Sequence, residues 1–227
     1  MIPDGSQGLA AAVQALFGPG VAVEAADPQA PATGLLPGET EVTGRMVEKR
    51  RREFAAGRRA ARAAMASLGL PAVAVPMGPD RAPVWPEGVT GSISHTDTHC
   101  VAAVARTGEV RTLGLDLEPD EPLEPELWPE ICTRAELDWL AVQPVPARGR
   151  LARAIFSAKE CAFKAQYPLT GAMLGFDAFE IALDLTAGTF TATAMQPIPP
   201  LEEGQRLEGR VVCAEAVLAM IVQVRHG

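Results

Sequence analysis

GLDLEP, residues 114–119, alternates apolar and polar side chains in the way that a half-buried β-strand does. Side chains reverse direction at every residue of a strand, so Leu115 and Leu117 would lie on one face. Asp116 and Glu118 would then lie side by side on the opposite face. This stretch therefore predicts a strand that carries a pair of carboxylates.

A second segment, FSAKECAFKA at residues 156–165, predicts a helix whose apolar row is interrupted by a carboxylate. The row at helical spacing consists of Phe156, Glu160, Phe163 and Tyr167. We expect this row to face the core. An ionised carboxylate near a core is costly unless a cation, hydrogen-bond donors or a metal ion compensates for the lost water. Lys164, one turn beyond Glu160, is one such cation.

Asp116, Glu118 and Glu160 together predict a site for a hard divalent cation. Carboxylate oxygens suit Mg²⁺, which usually keeps several waters and binds substrate phosphates. The alternative is an ordinary ion pair between Glu160 and Lys164 on the helix surface, with the two strand carboxylates on a solvated edge. The interrupted aromatic row favours the metal site.

The composition is that of a globular protein with a full core. The chain has 227 residues, of which 48% are hydrophobic, enough for one large domain or two small ones. The N-terminal segment lacks the pattern of a signal peptide, and we expect no membrane span. The four cysteines form no C-x-x-C pair. This argues against a zinc site and a disulfide framework, and predicts a reducing, cytoplasmic location.

The charges are unevenly distributed along the chain. Residues 45–62 carry eight Arg or Lys against two Glu, and residues 116–138 carry nine Asp or Glu against one Arg. Two such segments would suit the two halves of a site for a phosphate-rich, metal-chelating ligand; the alternative is that both are solvated faces. The net charge of −8 argues against a nucleic-acid-binding protein.

Turn and helix signals divide the chain into segments. We expect one long helix over about residues 41–68 and a second over residues 150–167, closed by Pro168. The arginines of the first helix would crowd its flank and outer face. Residues 76–88 are too rich in proline and glycine for a central strand and predict an ordered loop. An acidic loop and helix would extend to about Val142.

The strand signals complete an α+β fold. CVAAVAR at residues 100–106 would pair antiparallel with the GLDLEP strand across Gly108. Four more strands are expected in the C-terminal part, at residues 179–185, 189–195, 207–216 and 217–225. The order predicts two similar halves, each a long helix packed on a small antiparallel sheet. We place the boundary between residues 1–115 and residues 116–227.

Five segments occur in the order in which one enzyme family has them: KRRREFAAGRRAAR (49–62), GPDRAPVWPEGVTGSISH (78–95), GLDLEP (114–119), FSAKECAFKA (156–165) and PLTGAMLGF (168–176). On these segments the chain resembles the 4′-phosphopantetheinyl transferases of the long, monomeric type, and within them the enterobactin synthetase component D branch. The segments extend over more than half of the chain.

The resemblance implies an enzyme that moves the phosphopantetheine arm of coenzyme A to a serine of an acyl or peptidyl carrier protein. The reaction would depend on Mg²⁺ and release adenosine 3′,5′-bisphosphate. A cytoplasmic monomer is implied, with coenzyme A and the carrier protein as partners and no nucleic acid. The carrier protein could serve siderophore, polyketide or fatty-acid synthesis.

The resemblance also implies roles for particular residues. Asp116, Glu118 and Glu160 would bind Mg²⁺, and Glu160 is also a candidate for the base that takes the serine proton. Asp116 and Lys164 complete the catalytic set. The remaining assignments are phosphate ligands: Arg50, Arg58, Arg81, Ser94, His95, Lys159 and Lys164. Some relatives have a basic residue where this chain has Met77, and Arg81 would supply the missing charge.

Two other functions are compatible with the same residues. A magnesium-dependent phosphohydrolase would use the carboxylates to activate water and would consume coenzyme A without a protein acceptor. A non-enzymatic module that binds anionic partners would use the arginine-rich helix. The net charge and the lack of aromatic residues among the arginines argue against the binding module.

Overall fold

The computed structural model describes residues 5–226, which form five helices and eight strands. The helices are α1 (Gly5–Gln14), α2 (Glu48–Ser67), α3 (Trp128–Ile131), α4 (Arg134–Ala141) and α5 (Val145–Thr170). The strands are β1 (Val21–Ala26), β2 (Val89–His95), β3 (Cys100–Arg106), β4 (Thr112–Pro119), β5 (Phe179–Asp184), β6 (Thr189–Ala194), β7 (Arg206–Ala214) and β8 (Val217–Val224).

The strands form two antiparallel sheets, and each sheet carries one long helix. The first sheet has the order β1-β3-β2, with α2 packed on β1 and β3. The second has the order β4-β8-β7-β6-β5, with α5 packed on β4 and β8. This arrangement confirms the predicted α+β fold with two subdomains. No helix in the described part of the chain is both long and apolar enough to cross a membrane.

β4 does not form the predicted hairpin with β3. It pairs along its whole length with β8 instead, and β3 lies between β1 and β2. Both edges of β3 are therefore already occupied, which leaves none for β4. The prediction of a β3–β4 pair was wrong. The distance between two strands along the chain does not show whether they belong to the same sheet.

Two serines of β2 join the first sheet to the second. Ser92 Oγ accepts a hydrogen bond from the backbone N–H of Leu115 at 3.0 Å, and Ser94 Oγ accepts one from Leu117 N–H at 3.1 Å. β2 and β4 thus lie side by side without a backbone ladder between them. All four residues are buried or nearly so, so these bonds satisfy donors that water does not reach.

The predicted subdomain boundary between residues 115 and 116 falls inside β4, all of which belongs to the second sheet. The connection between β3 and β4, residues 107–111, is the segment at which the chain leaves one sheet and enters the other. We therefore propose that the boundary lies in that connection.

The helix limits differ from the predicted ones at identifiable residues. α2 begins at Glu48 and not near residue 41, because residues 43–45 form a separate single turn. Pro168 lies inside the last turn of α5 and does not close the helix. α5 ends instead at Gly171, whose φ of 65° is a left-handed conformation suited to glycine.

The core-facing side of α5 is made of small residues and not of the aromatic row. Ala158, Cys161, Ala162 and Ala165 are all 0% exposed, whereas the row at Phe156, Glu160, Phe163 and Tyr167 is only half-buried. The row therefore faces the core only in part, since Phe156 packs against the edge of the buried apolar cluster of α5. Small side chains let the helix backbone lie directly on the sheet, and Ile155 is buried in the same apolar cluster.

Gly114 on β4 is the point of closest approach between that strand and α5. A Cβ atom at this position would lie 2.1 Å from the carbonyl oxygen of Cys161 and 2.9 Å from the amide nitrogen of Ala165. Both are backbone atoms, which cannot rotate away. Glycine is required here because the helix backbone occupies the space of a side chain.

The alternation predicted for β4 is confirmed. Leu113, Leu115 and Leu117 are buried in one apolar cluster together with residues of α1, β1, β3 and β8. Gly114 and Asp116 consequently face the other way, toward α5. One face of β4 thus packs in the apolar core, and the other face places the carboxylate of Asp116 next to α5.

Gly114→Ala should destabilise the protein strongly, because a methyl group would push α5 off β4. We expect a loss of about 3 kcal/mol in the free energy of unfolding, measured with urea. Gly108→Ala is the matched control, since a Cβ there meets no atom within 4 Å, and its stability should stay within about 1 kcal/mol of wild type. Equal stability of the two variants would contradict the close approach.

Candidate active site

A cavity of about 720 Å³ lies between the two subdomains. Its walls come from α2, residues 78–85, β2, β4 and α5. A volume of this size is typical of small-molecule sites. The cavity brings together eight of the ten residues that the sequence singled out: Arg50, Arg58, Arg81, Ser94, His95, Asp116, Glu118 and Lys164.

Asp116 is the most densely hydrogen-bonded carboxylate of the cavity. Lys164 Nζ lies 2.6 Å from Oδ1, Ser94 Oγ donates to Oδ1 at 3.1 Å, and Ser157 Oγ donates to Oδ2 at 2.8 Å. Asp116 is 3% exposed, so its charge is compensated by protein groups and not by water. The Ser94 hydroxyl belongs to the junction of the sheets, which ties this carboxylate to both subdomains.

Burial opposes the charged form of Lys164, but the carboxylates around it outweigh that effect. The pKa of Lys164 is raised by the Asp116 charge and hydrogen bond and by the charge of Glu160. Its side chain is partly exposed to the cavity. Lys164 is therefore a charged ammonium that remains within reach of an anionic ligand.

Glu118 lies in the same cavity and has an arginine partner. Arg153 Nη1 donates to Glu118 Oε2 at 2.9 Å. Burial raises the pKa of Glu118 to about 7, and the neighbouring negative charge of Asp116 acts in the same direction. Two carboxylates that repel each other in a poorly solvated place would be stabilised by an added cation.

Glu160 and Lys159 do not line the main cavity. Both line a smaller neighbouring cavity of about 220 Å³ with Phe163 and Phe176. Burial raises the pKa of Glu160; Lys164 opposes the shift and Asp116 adds to it. The charge of Asp116 raises the pKa of Glu118 and of Glu160 alike, so each glutamate lies within electrostatic range of Asp116.

The predicted metal site is not assembled as a converged cluster. Within the described part of the chain, no three His, Cys, Asp or Glu side chains are placed so that they could hold a metal ion together. The reason is that Asp116 is bonded to Lys164 and Glu118 is bonded to Arg153. Asp116 and Glu118 thus each lie against a cation, and Glu160 lines the neighbouring cavity.

Lys159 does not reach the phosphate-binding region that the sequence predicted for it. Its ammonium lies 2.8 Å from Glu136 Oε2 and donates to the carbonyl oxygen of Phe176 at 2.7 Å. Both side chains of this ion pair are 2% exposed. Lys159 therefore joins α5 to α4 and to the segment before β5, which is a structural role.

Arg58 is the main cationic group of the opposite wall. Its Nε donates to the carbonyl oxygen of Val75 at 2.7 Å, and its guanidinium lies 4.1 Å from the ring centre of Phe54. Arg58 is 5% exposed, although the sequence had placed it on the outer face of the helix. Burial lowers the pKa of Arg58 to about 10, which still leaves it charged at neutral pH.

Arg50 and His95 meet at the edge of the cavity. Arg50 Nη1 lies 2.7 Å from His95 Nε2, and because arginine can only donate, Nε2 is the acceptor and the ring proton is on Nδ1. Burial lowers the pKa of His95; the charge of Glu53 opposes this shift, and Arg50 and Lys164 favour it. The imidazole is therefore neutral at neutral pH, and Arg50 carries the positive charge at this edge.

Residues 76–84 form a tight turn that we call the cavity hairpin. Met77 and Pro83 form a β-bridge, and Gly78 N–H donates to the carbonyl oxygen of Ala82 at 2.8 Å. Arg81, near its tip, has a φ of 71° and lines the cavity. The hairpin thus contributes Arg81 to the cavity, whereas Met77 serves the bridge.

Sequence reasoning missed several residues of the site, notably Ser157 and Glu53. Ser157 and Lys164 are seven positions apart and so lie on one face of α5, a spacing that would have linked them. Glu53 lies one turn beyond Arg50 and 3.7 Å from His95. No pattern in the sequence indicates Arg153, because its partner Glu118 is brought to it only by the packing of α5 on β4.

Two family sequence profiles match this chain over most of its length. The 4′-phosphopantetheinyl transferase N-terminal domain matches residues 39–105, and the 4′-phosphopantetheinyl transferase superfamily matches residues 112–214. The chain belongs to the 4′-phosphopantetheinyl transferase superfamily. It is accordingly an enzyme of the transferase class. The two matches meet at the connection between β3 and β4.

Individual relatives agree with the family assignment. The chain is 42% identical to the 4′-phosphopantetheinyl transferase Svp of Streptomyces mobaraensis over 203 residues, which cover 87% of this chain and 81% of the relative. It is 34% identical to PptT of Mycobacterium tuberculosis over 77% of this chain and 75% of the relative. Enterobactin synthase component D of Escherichia coli (strain K12) is 40% identical over 59% of this chain and 62% of the relative.

Lys159→Met should lower the free energy of unfolding by about 3–5 kcal/mol, because it leaves the buried carboxylate of Glu136 without its cation. Lys49→Met is the matched control, since the Lys49–Asp97 pair is exposed, and its effect should be under about 1 kcal/mol. Thermal and urea unfolding measure both. If Lys159→Met kept full stability and instead weakened coenzyme A binding, the structural role would be wrong and the sequence-based role correct.

Proposed function

We propose that this transferase moves the 4′-phosphopantetheine arm of coenzyme A to a serine of an acyl or peptidyl carrier protein and releases adenosine 3′,5′-bisphosphate. The observation that carries the proposal is the division of one cavity into a cationic wall and a carboxylate wall. Coenzyme A would use both walls. Its three phosphates require positively charged partners, and the negative charge of its pyrophosphate must be neutralised at the bond that breaks, which a metal ion held by carboxylates can do.

The cationic wall would bind the phosphates of coenzyme A. Arg50 and Arg58 lie two turns apart on α2 and both line the cavity. Guanidinium groups bind phosphate through paired, charge-assisted hydrogen bonds. Ser94 and His95 of β2 would be further phosphate ligands. Arg81 of the cavity hairpin would supply the positive charge that some relatives have at the position of Met77.

The carboxylate wall fits Mg²⁺ in its chemistry. Asp116 and Glu118 both line the cavity and offer the carboxylate oxygen ligands that Mg²⁺ prefers. Asp116 and Glu118 would hold the ion, with Glu160 as the third ligand. When bound, Mg²⁺ supplies neutralisation and orientation of the pyrophosphate. Lys164 and Arg153, which now balance these carboxylates, would be free to turn toward phosphate oxygens.

Glu160 is the candidate for the group that accepts the proton of the carrier serine. Burial raises the pKa of Glu160, which makes its carboxylate a better base near neutral pH than an exposed glutamate. Lys164, one turn away on α5, stabilises the ionised form. The serine oxygen would attack the phosphorus next to the pantetheine, and its proton would pass to Glu160 as adenosine 3′,5′-bisphosphate leaves.

The carrier protein would approach from the open side of the cavity. Val84 and Met173 line the cavity and are 50% and 72% exposed, so an apolar contact is available there. We also propose that the enzyme acts as a cytoplasmic monomer. The family resemblance supports the monomer, and the four cysteines are free thiols, as a reducing compartment would keep them.

The first experiment is intact mass spectrometry of an apo carrier protein incubated with the enzyme, coenzyme A and Mg²⁺. We expect a gain of one phosphopantetheine arm, and we expect a chelator to abolish it. Consumption of coenzyme A without a change in carrier mass would favour the phosphohydrolase. A gain that persists with chelator would remove the metal from the proposal.

Asp116→Asn should reduce the rate of transfer at least about 100-fold, because the amide keeps the shape of the side chain but not its charge. Asp184→Asn on β5 is the matched control, since Asp184 is exposed and lines neither of the two cavities, and it should transfer at the wild-type rate. The mass gain per minute measures both. Wild-type transfer by Asp116→Asn would exclude Asp116 from the reaction.

Arg58→Lys should raise the KM for coenzyme A about tenfold or more, because lysine keeps the charge but loses the paired bonds of the guanidinium. The surface pair between Arg134 and Asp138 provides the control Arg134→Lys, whose KM should not change. Steady-state kinetics with varied coenzyme A measures both variants. An unchanged KM in Arg58→Lys would remove Arg58 from the phosphate site.

A further inference from the structure

The cavity hairpin is attached to α2 at its base. Arg58 donates to the carbonyl oxygens of Val75 and Pro76, and Val75 N–H donates to Glu39 Oε1 at 2.9 Å. Glu39 is 0% exposed and is also bound by Arg62 at 2.6 Å. The base of the hairpin is therefore fixed to the first subdomain by buried, charge-assisted bonds.

Among residues 5–226, a single side-chain hydrogen bond attaches the tip of the hairpin to the other subdomain. The hydroxyl of Tyr167, on α5, donates to Asp80 Oδ2. Asp80 Oδ1 accepts the N–H of Ala82 at 3.0 Å, so the same carboxylate shapes the turn and joins it to α5. The Tyr167 ring itself packs on Phe163, with ring centres 5.6 Å apart. The hairpin consequently crosses the cavity from α2 to α5.

We propose that Asp80 and Tyr167 are positioning residues that hold Arg81 over the cavity and so determine the affinity for coenzyme A. The inference rests on the proposed function, because it takes coenzyme A as the ligand whose phosphate meets Arg81. Asp80 and Tyr167 are additional to the phosphate and metal ligands proposed above, and neither touches the reacting atoms. Their effect passes through the conformation of the hairpin tip.

The backbone of Arg81 explains why its position needs support. A φ of 71° lies in the left-handed region, which residues other than glycine rarely adopt without help from their surroundings. Arg81 N–H donates to the carbonyl oxygen of Gly78 at 3.0 Å, and Asp80 caps the next amide. A tip held only by these local bonds would be free to leave the cavity, and the bond to Tyr167 prevents this.

The charge of Asp80 is a second reason why its bond to Tyr167 should favour the binding of coenzyme A. An unattached carboxylate at the mouth of the cavity would repel phosphates and pair with the adjacent guanidinium of Arg81. Bonding to Tyr167 turns that carboxylate toward α5 and leaves Arg81 free for the ligand. Loss of the tyrosine hydroxyl should therefore weaken coenzyme A binding through both effects.

Tyr167→Phe keeps the ring packed on Phe163 and removes only the hydroxyl. We expect the dissociation constant of coenzyme A, measured by isothermal titration calorimetry, to rise about three- to tenfold, as loss of one hydrogen bond predicts. The KM for coenzyme A should rise equally, while kcat at saturating coenzyme A stays within about twofold of wild type. A merely structural residue would not separate KM from kcat in this way.

Thr191→Val is the matched control. Thr191 Oγ1 donates to Glu208 Oε2 at 3.0 Å on the β6–β7 surface, so this variant also removes one exposed hydroxyl-to-carboxylate bond. It should leave the affinity for coenzyme A unchanged. Tyr167→Phe combined with Asp80→Ala should weaken binding no more than the larger single effect, because both changes break the same contact.

Tyr167 is the only tyrosine of the chain, which allows the bond to be observed without substrate. The hydrogen bond to Asp80 raises the pKa of Tyr167 because it stabilises the neutral phenol. The ultraviolet absorbance of the ionised phenol should therefore appear at lower pH in Asp80→Ala than in wild type. The same midpoint in both proteins would show that the bond does not exist and would overturn the inference.

The remaining outcomes separate the inference from the proposed function. If wild type binds coenzyme A and transfers the arm while Tyr167→Phe binds it equally well, the inference is wrong and the proposed function stands. If Tyr167→Phe lowers kcat and leaves KM unchanged, Tyr167 acts in the reaction and not as a positioning residue. If wild type does not bind coenzyme A, both fail together.

Discussion

The site depends on how closely α5 lies on β4. Gly114 has no side chain, and the helix backbone at Cys161 occupies the space that a Cβ atom would need. This contact fixes the height of the helix above the strand and therefore the distance from Asp116 to Ser157 and Lys164. With a larger residue at position 114, the helix would rise and those hydrogen bonds would lengthen together. The carboxylate wall is thus a consequence of backbone packing.

A second constraint joins the two subdomains. Ser92 and Ser94 use their hydroxyl groups where a sheet would use its backbone, and in this way they align β2 with β4. The junction leaves the cationic wall on α2 facing the carboxylate wall on α5 and β4. Ser94 also donates to Asp116, so one side chain links the junction of the sheets to the chemistry of the cavity.

The charges of the cavity balance one another within the protein. Lys164 pairs with Asp116, Arg153 with Glu118, and Arg50 with Glu53. Buried charges would otherwise be too costly to keep. A ligand that carries phosphates and a cation would offer each of these groups a new partner of the correct sign. Binding of a highly charged molecule would therefore exchange partners and would not create unpaired charge.

The sequence by itself determined the alternation of β4, both long helices and the C-terminal strands, because local periodicity predicts each of them. It also determined the family, because short segments occur in the order that is typical of that family. Only the tertiary structure decided the rest. β4 pairs with β8 because β3 has no free edge, and Lys159 is buried against Glu136, 23 positions away. Tyr167 likewise meets Asp80 only after both subdomains have folded. Such contacts join residues that are distant in sequence. The periodicity of a sequence predicts local structure but does not predict which distant residues will be in contact.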